Sequence, residues 1–164
     1  MAPDTRPLAV FDLDNTLADT AHRQHLLQRR PRDWNAFFAA APQDPPLAEG
    51  VLLCRRAAEE CEVVYLTGRP ERCREATLAW LAAQELPAGR LLMRPPADRR
   101  PARVTKLEAL RRLARSREVR MLVDDDALVC RDAERAGHRV VRAVWGAVRT
   151  GEAMRAAQQS EGRT

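Results

Sequence analysis

Short apolar runs alternate along the chain with longer segments in which apolar residues recur at helical spacing. The apolar runs predict strands at about 8–12, 62–67, 90–93, 119–124 and 139–144. The amphipathic segments predict helices at about 47–60, 70–85, 102–117 and 127–136. Strands separated by helices are typical of a parallel sheet that helices cover on both faces. We therefore predict an α/β fold, a three-layer doubly wound parallel sheet, formed by residues 1–146.

Two segments do not follow this alternation. Residues 18–46 follow the first predicted strand and indicate a small helical insert, two short helices closed by a Pro-rich turn. Such an insert is too short to form a separate domain or a cap over the sheet. Residues 147–164 lack a convincing apolar face, and we expect a flexible tail there.

The composition favours a single globular domain, with 45% hydrophobic and 31% charged residues in 164. The sequence contains no apolar stretch of membrane-spanning length and no long apolar region of a signal peptide. We therefore expect a cytoplasmic protein without a membrane partner. The four cysteines form no C-x-x-C pair, and no histidine lies at zinc-site spacing, so reduced cysteines are expected.

The net charge of +5 is concentrated in one part of the chain. Residues 90–120 contain 11 basic and three acidic residues, a local charge of +8. A basic stretch of this kind indicates an anionic partner, such as the phosphates of a nucleic acid, or a solvated arginine-rich helix face.

Polar residues mark the ends of three predicted strands. The first ends on Asp12 and Asp14, the second on Thr67-Gly68-Arg69, and the fourth on three consecutive aspartates at 124–126. The only lysine among 28 basic residues, Lys106, lies near the start of the helix that precedes the fourth strand. In parallel sheets ligands bind at the carboxyl ends of the strands, so we expect these residues to meet at one edge.

Four or five carboxylates at one edge repel one another unless a cation compensates them. Oxygen ligands without nearby His or Cys favour Mg²⁺. Thr67, Arg69 and Lys106 add a hydroxyl group and positive charges, which suit a phosphate group. Together these groups indicate phosphoryl transfer. The alternative is that the aspartates are loop acids and helix caps.

The segments "DLDNT", "LTGR", the isolated lysine and "LVDDD" resemble, in order, the four motifs of haloacid dehalogenase-superfamily phosphatases. The resemblance implies that Asp12 is the nucleophile and that Asp14 protonates the leaving group and then activates water. That role requires Asp14 to hold a proton more readily than Asp12 does. It further implies phosphoryl binding by Thr67 and Lys106. The implied Mg²⁺ ligands are Asp12, Asp14 through its main-chain carbonyl, Asp124 and Asp125.

Further segments resemble the phosphatase domain of polynucleotide kinase-phosphatases, which remove 3′-phosphates from broken nucleic acid ends. These segments are "DTAHR", "DWNAFF", "LTGRPERCREATLAWL", "LLMRPPADRR" and "VDDDALVCRDAERAGHRVV". The resemblance implies substrate-binding roles for Arg23, Arg69, Arg94 and Arg100, the last two within an M-R-x-x-x-D-x-R pattern that includes Asp98. The chain departs from the family pattern at Ala102, where an acid is usual, and at Asp126, where arginine is usual.

These observations leave alternatives open. The substrate is DNA or RNA 3′ ends, or else a nucleotide or small phosphorylated metabolite; a catalytically weak nucleic-acid-binding module is the third possibility. Trp34, Phe37 and Phe38 either pack the insert onto the body or stack on bases. The chain has no G-x-x-x-x-G-K-[ST] motif, so a kinase or ligase would be a separate partner. The sequence does not indicate an oligomeric state.

Overall fold

The computed structural model describes residues 5–146 and 152–160. Its centre is a five-stranded parallel sheet with the strand order β3-β2-β1-β4-β5. The strands are β1 (Leu8–Phe11), β2 (Glu62–Pro70), β3 (Gly89–Arg94), β4 (Val119–Asp124) and β5 (Val140–Arg142). The predicted α/β fold with a parallel sheet is confirmed, and β2 extends three residues further than predicted because Pro70 pairs with Arg94 of β3.

The described part of the chain contains seven α-helices. They are α1 (His25–Gln28), α2 (Trp34–Ala39), α3 (Ala48–Ala57), α4 (Arg74–Ala83), α5 (Ala102–Ala114), α6 (Ala127–Arg135) and α7 (Glu152–Ser160). Side-chain caps begin two of them: Asp33 accepts from the amide of Ala36 in α2, and Asp126 accepts from two amides of α6.

No helix within residues 5–146 or 152–160 combines the length and the apolar character required to cross a membrane.

Alternating side chains of the strands give the sheet two buried faces. Phe11 and Tyr65 point to one face, where Val51 of α3 and Trp80 of α4 pack against them. Val10, Val64 and Leu122 point to the other face, which α5 and α6 cover through residues such as Leu110 and Val129. This is the expected three-layer arrangement, and it leaves the carboxyl edge of the sheet open between the layers.

The insert after β1 contains the two expected short helices, α1 and α2. Trp34, Phe37 and Phe38 are buried and contact one another, with Trp34 and Phe38 stacked at 5.8 Å between ring centroids. Of the two roles considered for these aromatic residues, the structure shows packing.

Residues 152–160 differ from the expected flexible tail, because the structure has helix α7 there. Met154 and Ala157, one turn apart, are buried in the cluster formed by Leu27 and the three aromatic residues of α2. Only small and medium side chains form this apolar stripe, so the sequence pattern does not identify it. The rest of segment 147–164 lies outside the described residues.

Candidate active site

The loop after β1 is a tight turn that presents Asp12 at the carboxyl edge of the sheet. The amides of Thr16 and Leu17 bond to the carbonyl of Leu13, at 3.1 and 2.8 Å. Asn15 adopts a left-handed conformation with φ of 64°, which asparagine tolerates better than most residues. The Thr16 hydroxyl donates to Asp12 Oδ2 at 3.0 Å and so orients this carboxylate.

Two residues outside the motifs support this loop from behind. Trp145 Nε1 donates to the Thr16 carbonyl at 2.9 Å. Gly50 of α3 approaches the same carbonyl so closely that a Cβ atom would lie 2.0 Å from its oxygen. A glycine is therefore required at this position for α3 to pack against the loop.

Three buried carboxylates converge at the ends of β1 and β4. Asp12, Asp124 and Asp125 each offer an oxygen within 4.8 Å of the others. Lys106 Nζ, from α5, donates to Asp12 Oδ1 at 2.8 Å and to Asp124 Oδ2 at 2.7 Å. The structure thus brings together four of the residues that the sequence analysis selected. Asp14 lies in the same loop, but its side chain is directed to other partners.

The charges in this cluster are not balanced by Lys106 alone. Burial and the neighbouring charge of Asp12 raise the pKa of Asp124 to about 7, although Lys106 opposes the shift. The same two causes raise the pKa of Asp125 well above its ordinary value. For Lys106, burial lowers the pKa, but Asp12 and Asp124 outweigh it and raise the pKa overall. An oxygen-only donor set with excess negative charge fits a hard divalent cation, so the residues present fit Mg²⁺.

A separate buried network holds Asp14. Arg69 Nη2 and Arg23 Nη2 donate to Asp14 Oδ1 at 2.6 and 2.8 Å. Arg23 also forms a two-pronged pair with Asp44, through Nε at 2.8 Å and Nη2 at 2.6 Å. The Arg23 guanidinium lies over the ring of Phe37 at 4.1 Å. Both arginines are already occupied by carboxylates, so they position Asp14; direct substrate binding by them stays a prediction.

The ion pairs change the expected state of Asp14. Burial alone would raise its pKa, but Arg69 and Arg23 lower the pKa to about 2. Asp14 is therefore ionised at neutral pH in this arrangement. The two guanidinium groups stabilise the charged form of Asp14, so the proton-donating role implied for this residue stays a prediction.

A cavity of about 220 Å³ beside the cluster is lined by Lys106 and by the three remaining phosphate-binding candidates. Its lining includes Thr67, Lys106, Arg94 and Arg100. Thr67 is buried, and its hydroxyl accepts from the amide of Arg69 at 3.1 Å. These four residues, which the sequence analysis predicted to bind phosphate, thus lie together next to the carboxylate cluster.

Arg94 and Arg100 differ in what they can still bind. Arg100 is half-exposed and pairs with Asp98 at 2.8 Å and with Glu108 at 2.6 Å. Arg94 is buried, and its Nη1 donates to the carbonyl of Arg100 at 2.9 Å. Among residues 5–146 and 152–160, its Nε and Nη2 atoms have no hydrogen-bond partner. Since buried donors are rarely left without partners, Arg94 is the better anion-binding candidate.

The basic segment 90–120 is less positive in the fold than in the sequence. Seven of its arginines lie within 4.0 Å of acids: Arg90, Arg94, Arg100, Arg103, Arg112, Arg117 and Arg120. The predicted phosphate track is therefore partly neutralised by ion pairs.

The two departures from the family pattern have local structural roles. Asp126 caps α6 and accepts hydrogen bonds from the amides of Leu128 and Val129 at 2.8 and 3.4 Å. Ala102 is fully buried in the first turn of α5.

Sequence analysis missed three residues of the site. Asp44, in the insert, links Arg23, Arg69 and His22, whose Nε2 lies 2.7 Å from Asp44 Oδ1. Arg155 of α7 donates to Asp125 Oδ2 at 2.6 Å, and Gln159 donates to Asp126 Oδ2 at 2.8 Å. None of the three lies in a motif, and each partner is distant in sequence. A buried arginine such as Arg23 requires an acid partner, and this requirement is the one signal that could have indicated Asp44.

The acidic cluster predicts that stabilisation by Mg²⁺ depends on pH. The pKa of Asp124 is raised from 3.8 to about 7 in the fold, so the metal-free protein loses stability as pH rises through about 7. At about pH 8, Mg²⁺ at ten times its Kd should raise the free energy of unfolding by about 1.4 kcal/mol, which corresponds to a rise of about 3–6 °C in Tm. At about pH 5.5 protons compete with the metal, and the same concentration should raise Tm less.

Thermal unfolding with Mg²⁺, and with KCl at matched ionic strength, measures this difference. An equal Mg²⁺ shift at both pH values would contradict the assignment of the cluster as a metal site.

Comparison with known proteins identifies the family of this chain. The family model of the polynucleotide kinase PNKP phosphatase domain matches residues 7–147. A sequence comparison with curated proteins gives no match. Among solved structures, a chain of the Pnkp1/Rnl/Hen1 complex is similar with a TM-score of 0.69 and 27% identity over 89% of this chain.

Two further structures share the fold. A chain of the Pnkp1/Rnl/Hen1 RNA repair complex has a TM-score of 0.69 at 24% identity over 87% of this chain. The class C acid phosphatase from Bacillus anthracis has a TM-score of 0.66 at 14% identity, covering 95% of this chain and 78% of that chain. This chain spans about half of the two Pnkp1/Rnl/Hen1 chains, 45% and 48% of their lengths.

The family model covers most of the chain and includes every strand with its strand-end motif. The chain is therefore a phosphatase of the haloacid dehalogenase superfamily, and it belongs to the family of polynucleotide kinase PNKP phosphatase domains.

Proposed function

We propose that this phosphatase removes 3′-phosphates from polynucleotide ends, in a Mg²⁺-dependent reaction through an aspartyl-phosphate. The observation that carries the substrate assignment is the buried guanidinium of Arg94, whose Nε and Nη2 have no hydrogen-bond partner in the described part of the chain. Arg94 lies between the cavity beside Lys106 and a second cavity of about 230 Å³. A strand end can therefore place its terminal phosphate in the first cavity and continue into the second.

The second cavity, here called the arginine groove, suits a single strand. It is lined by Trp34, Asn35, Phe38, Pro70, Arg72, Arg94, Pro95, Pro96 and Arg99. Arg72 lies 5.4 Å from the ring centre of Phe38, and Arg99 Nη1 donates to the carbonyl of Pro96 at 3.0 Å. Neither contact neutralises the guanidinium charge, so both arginines can bind phosphodiesters. The similarity to a chain of an RNA repair complex supports a polynucleotide substrate, and a separate kinase or ligase as partner.

Asp12 carries out the first step in this mechanism. Its carboxylate attacks phosphorus, and the ester P–O bond breaks. Thr16 and Lys106 hold the two carboxylate oxygens of Asp12 at 3.0 and 2.8 Å, so the nucleophile has one orientation. Lys106 compensates the charge of the phosphoryl oxygens, and Thr67 lines the same cavity.

Asp14 handles the protons. It gives a proton to the leaving oxygen, and it later takes a proton from the water that cleaves the aspartyl-phosphate. The ion pairs with Arg23 and Arg69 favour the ionised carboxylate of Asp14, the form that accepts a proton. Asp14 must take up a proton before the first step, and this requires that substrate binding weaken at least one of the two ion pairs. Asp12, Asp124, Asp125 and the Asp14 carbonyl would hold Mg²⁺, which supplies charge stabilisation to the transferring phosphoryl group.

Substrate preference tests the proposal. We expect kcat/KM for a 3′-phosphorylated oligonucleotide to exceed that for a 3′-mononucleotide and for p-nitrophenyl phosphate, and to fall with salt. Changing Arg72 and Arg99 together to Ala should reduce the salt slope for the oligonucleotide by about 1.4, or about 0.7 per single-strand phosphate contact. Hydrolysis of p-nitrophenyl phosphate should be unchanged.

Arg111→Ala is the matched control, because Arg111 is an exposed arginine of α5 outside the groove. If the mononucleotide is the better substrate, the enzyme acts on small phosphorylated metabolites. If the protein binds oligonucleotides tightly but releases no phosphate with any divalent ion, it is a binding module.

A further inference from the structure

Helix α7 lies beyond the residues that the family model matches, which end at 147. It nevertheless packs against α1 of the insert and against α5, the helix that carries Lys106. Met154 and Ala157 are 1% and 0% exposed, within the aromatic cluster of the insert. The helix therefore has a fixed position next to the acidic cluster.

Two polar residues of α7 bind the acidic motif that follows β4. Arg155 Nη1 donates to Asp125 Oδ2 at 2.6 Å, and Gln159 Nε2 donates to Asp126 Oδ2 at 2.8 Å. Asp125 and Asp126 are buried, whereas the Arg155 side chain is 24% exposed. An arginine held at one end by an apolar anchor and at the other by a buried carboxylate fixes that carboxylate in one orientation.

We propose that Arg155 is a positioning residue of the metal site, supplied by a helix outside the family domain. Arg155 holds Asp125 through Oδ2, and the carboxylate of Asp125 offers one oxygen to the acidic cluster that it forms with Asp12 and Asp124. The inference rests on the proposed Mg²⁺ dependence. A partner that orients a ligand carboxylate commonly contributes a factor of about 10–100 in metal affinity.

The charge of Arg155 also matters. The cluster of three aspartates and Lys106 has a formal charge of −2, and Arg155 reduces it to −1. If Arg155 acted mainly as a competing cation, its removal would strengthen Mg²⁺ binding. The anchored helix argues for the positioning role, because the burial of Met154 and Ala157 in the aromatic cluster keeps the backbone of Arg155 next to Asp125.

Calorimetric titration of the full chain with Mg²⁺ tests the inference. We expect Arg155→Met to weaken Mg²⁺ binding about 10–100-fold, and Arg155→Lys to weaken it less. The Mg²⁺ concentration for half-maximal activity should rise in parallel, while KM for p-nitrophenyl phosphate at saturating Mg²⁺ stays constant. Arg111→Met removes the same charge from exposed α5 and should change neither quantity.

Ala157→Glu provides an independent measurement, because it expels α7 from the cluster without changing Arg155. It should weaken Mg²⁺ binding by a similar factor. Unchanged or tighter binding in Arg155→Met, or unchanged binding in Ala157→Glu, would overturn the inference. A wild-type protein that binds no Mg²⁺ would instead refute the proposed metal dependence, so the two failures are distinguishable.

Discussion

Asp12→Asn is expected to lower phosphate release by about 10⁴-fold or more, because an amide oxygen cannot form the proposed acyl phosphate. The fold should be retained, since one charge is removed from three crowded carboxylates and Lys106 keeps its contact with Asp124 at 2.7 Å. Steady-state kinetics with the 3′-phosphorylated oligonucleotide gives the rate, and urea unfolding gives the stability.

Asp19→Asn is the matched control for this substitution. Asp19 lies near the end of the same loop and accepts from the amide of Ala21 at 2.9 Å, a bond that an asparagine oxygen also accepts. Its activity should equal that of the wild type. If Asp12→Asn keeps turnover within about tenfold, the covalent mechanism is wrong, and Asp12 acts only through charge.

The second large effect is expected at Asp44, a residue of the insert rather than of any motif. Asp44→Ala leaves the buried guanidinium of Arg23 without its two-pronged partner and removes a contact of Arg69 at 3.3 Å. Removing one partner of a buried ion pair costs about 3–5 kcal/mol of the free energy of unfolding. Activity should also fall, because both arginines position Asp14.

Asp33→Ala is the control for this substitution, because it removes another acidic side chain of the insert that does not contact Arg23 or Arg69. Asp33 caps α2, with Oδ1 accepting from the amide of Ala36 at 2.9 Å, and loss of such a cap costs about 1 kcal/mol. Urea unfolding of both variants measures the difference. Equal costs at the two positions would show that the network around Arg23 contributes little stability.

The strand-end motifs could be predicted because their geometry follows from the sheet. Asp12 and Asp124 each end a short apolar run, and parallel strands bring such ends to one edge. The pairing of Lys106 with both carboxylates follows from the same topology, since α5 precedes β4. The positions of the motifs and the order of the strands and helices were therefore sufficient to predict this part of the site.

The remaining contacts depend on packing that no local pattern describes. Asp44 and Arg23 are 21 residues apart, and Arg155 and Asp125 are 30 apart. The positions of Asp44 and Arg155 depend on how the insert and α7 pack, which single residue types do not reveal. The lowered pKa of Asp14 has the same origin, because it depends on two guanidinium groups that the sequence analysis assigned to the substrate.

The position of β1 at the centre of the sheet also has a consequence for folding. Leu8–Phe11 pairs with residues 62–65 on one side and with residues 119–123 on the other. During synthesis, this apolar strand must therefore wait for more than a hundred further residues before both of its edges are satisfied. Such long-range pairing slows folding and exposes an aggregation-prone segment to chaperones, so the strand that leads to Asp12 is the first of the five to be made and keeps one edge unpaired until β4 is made.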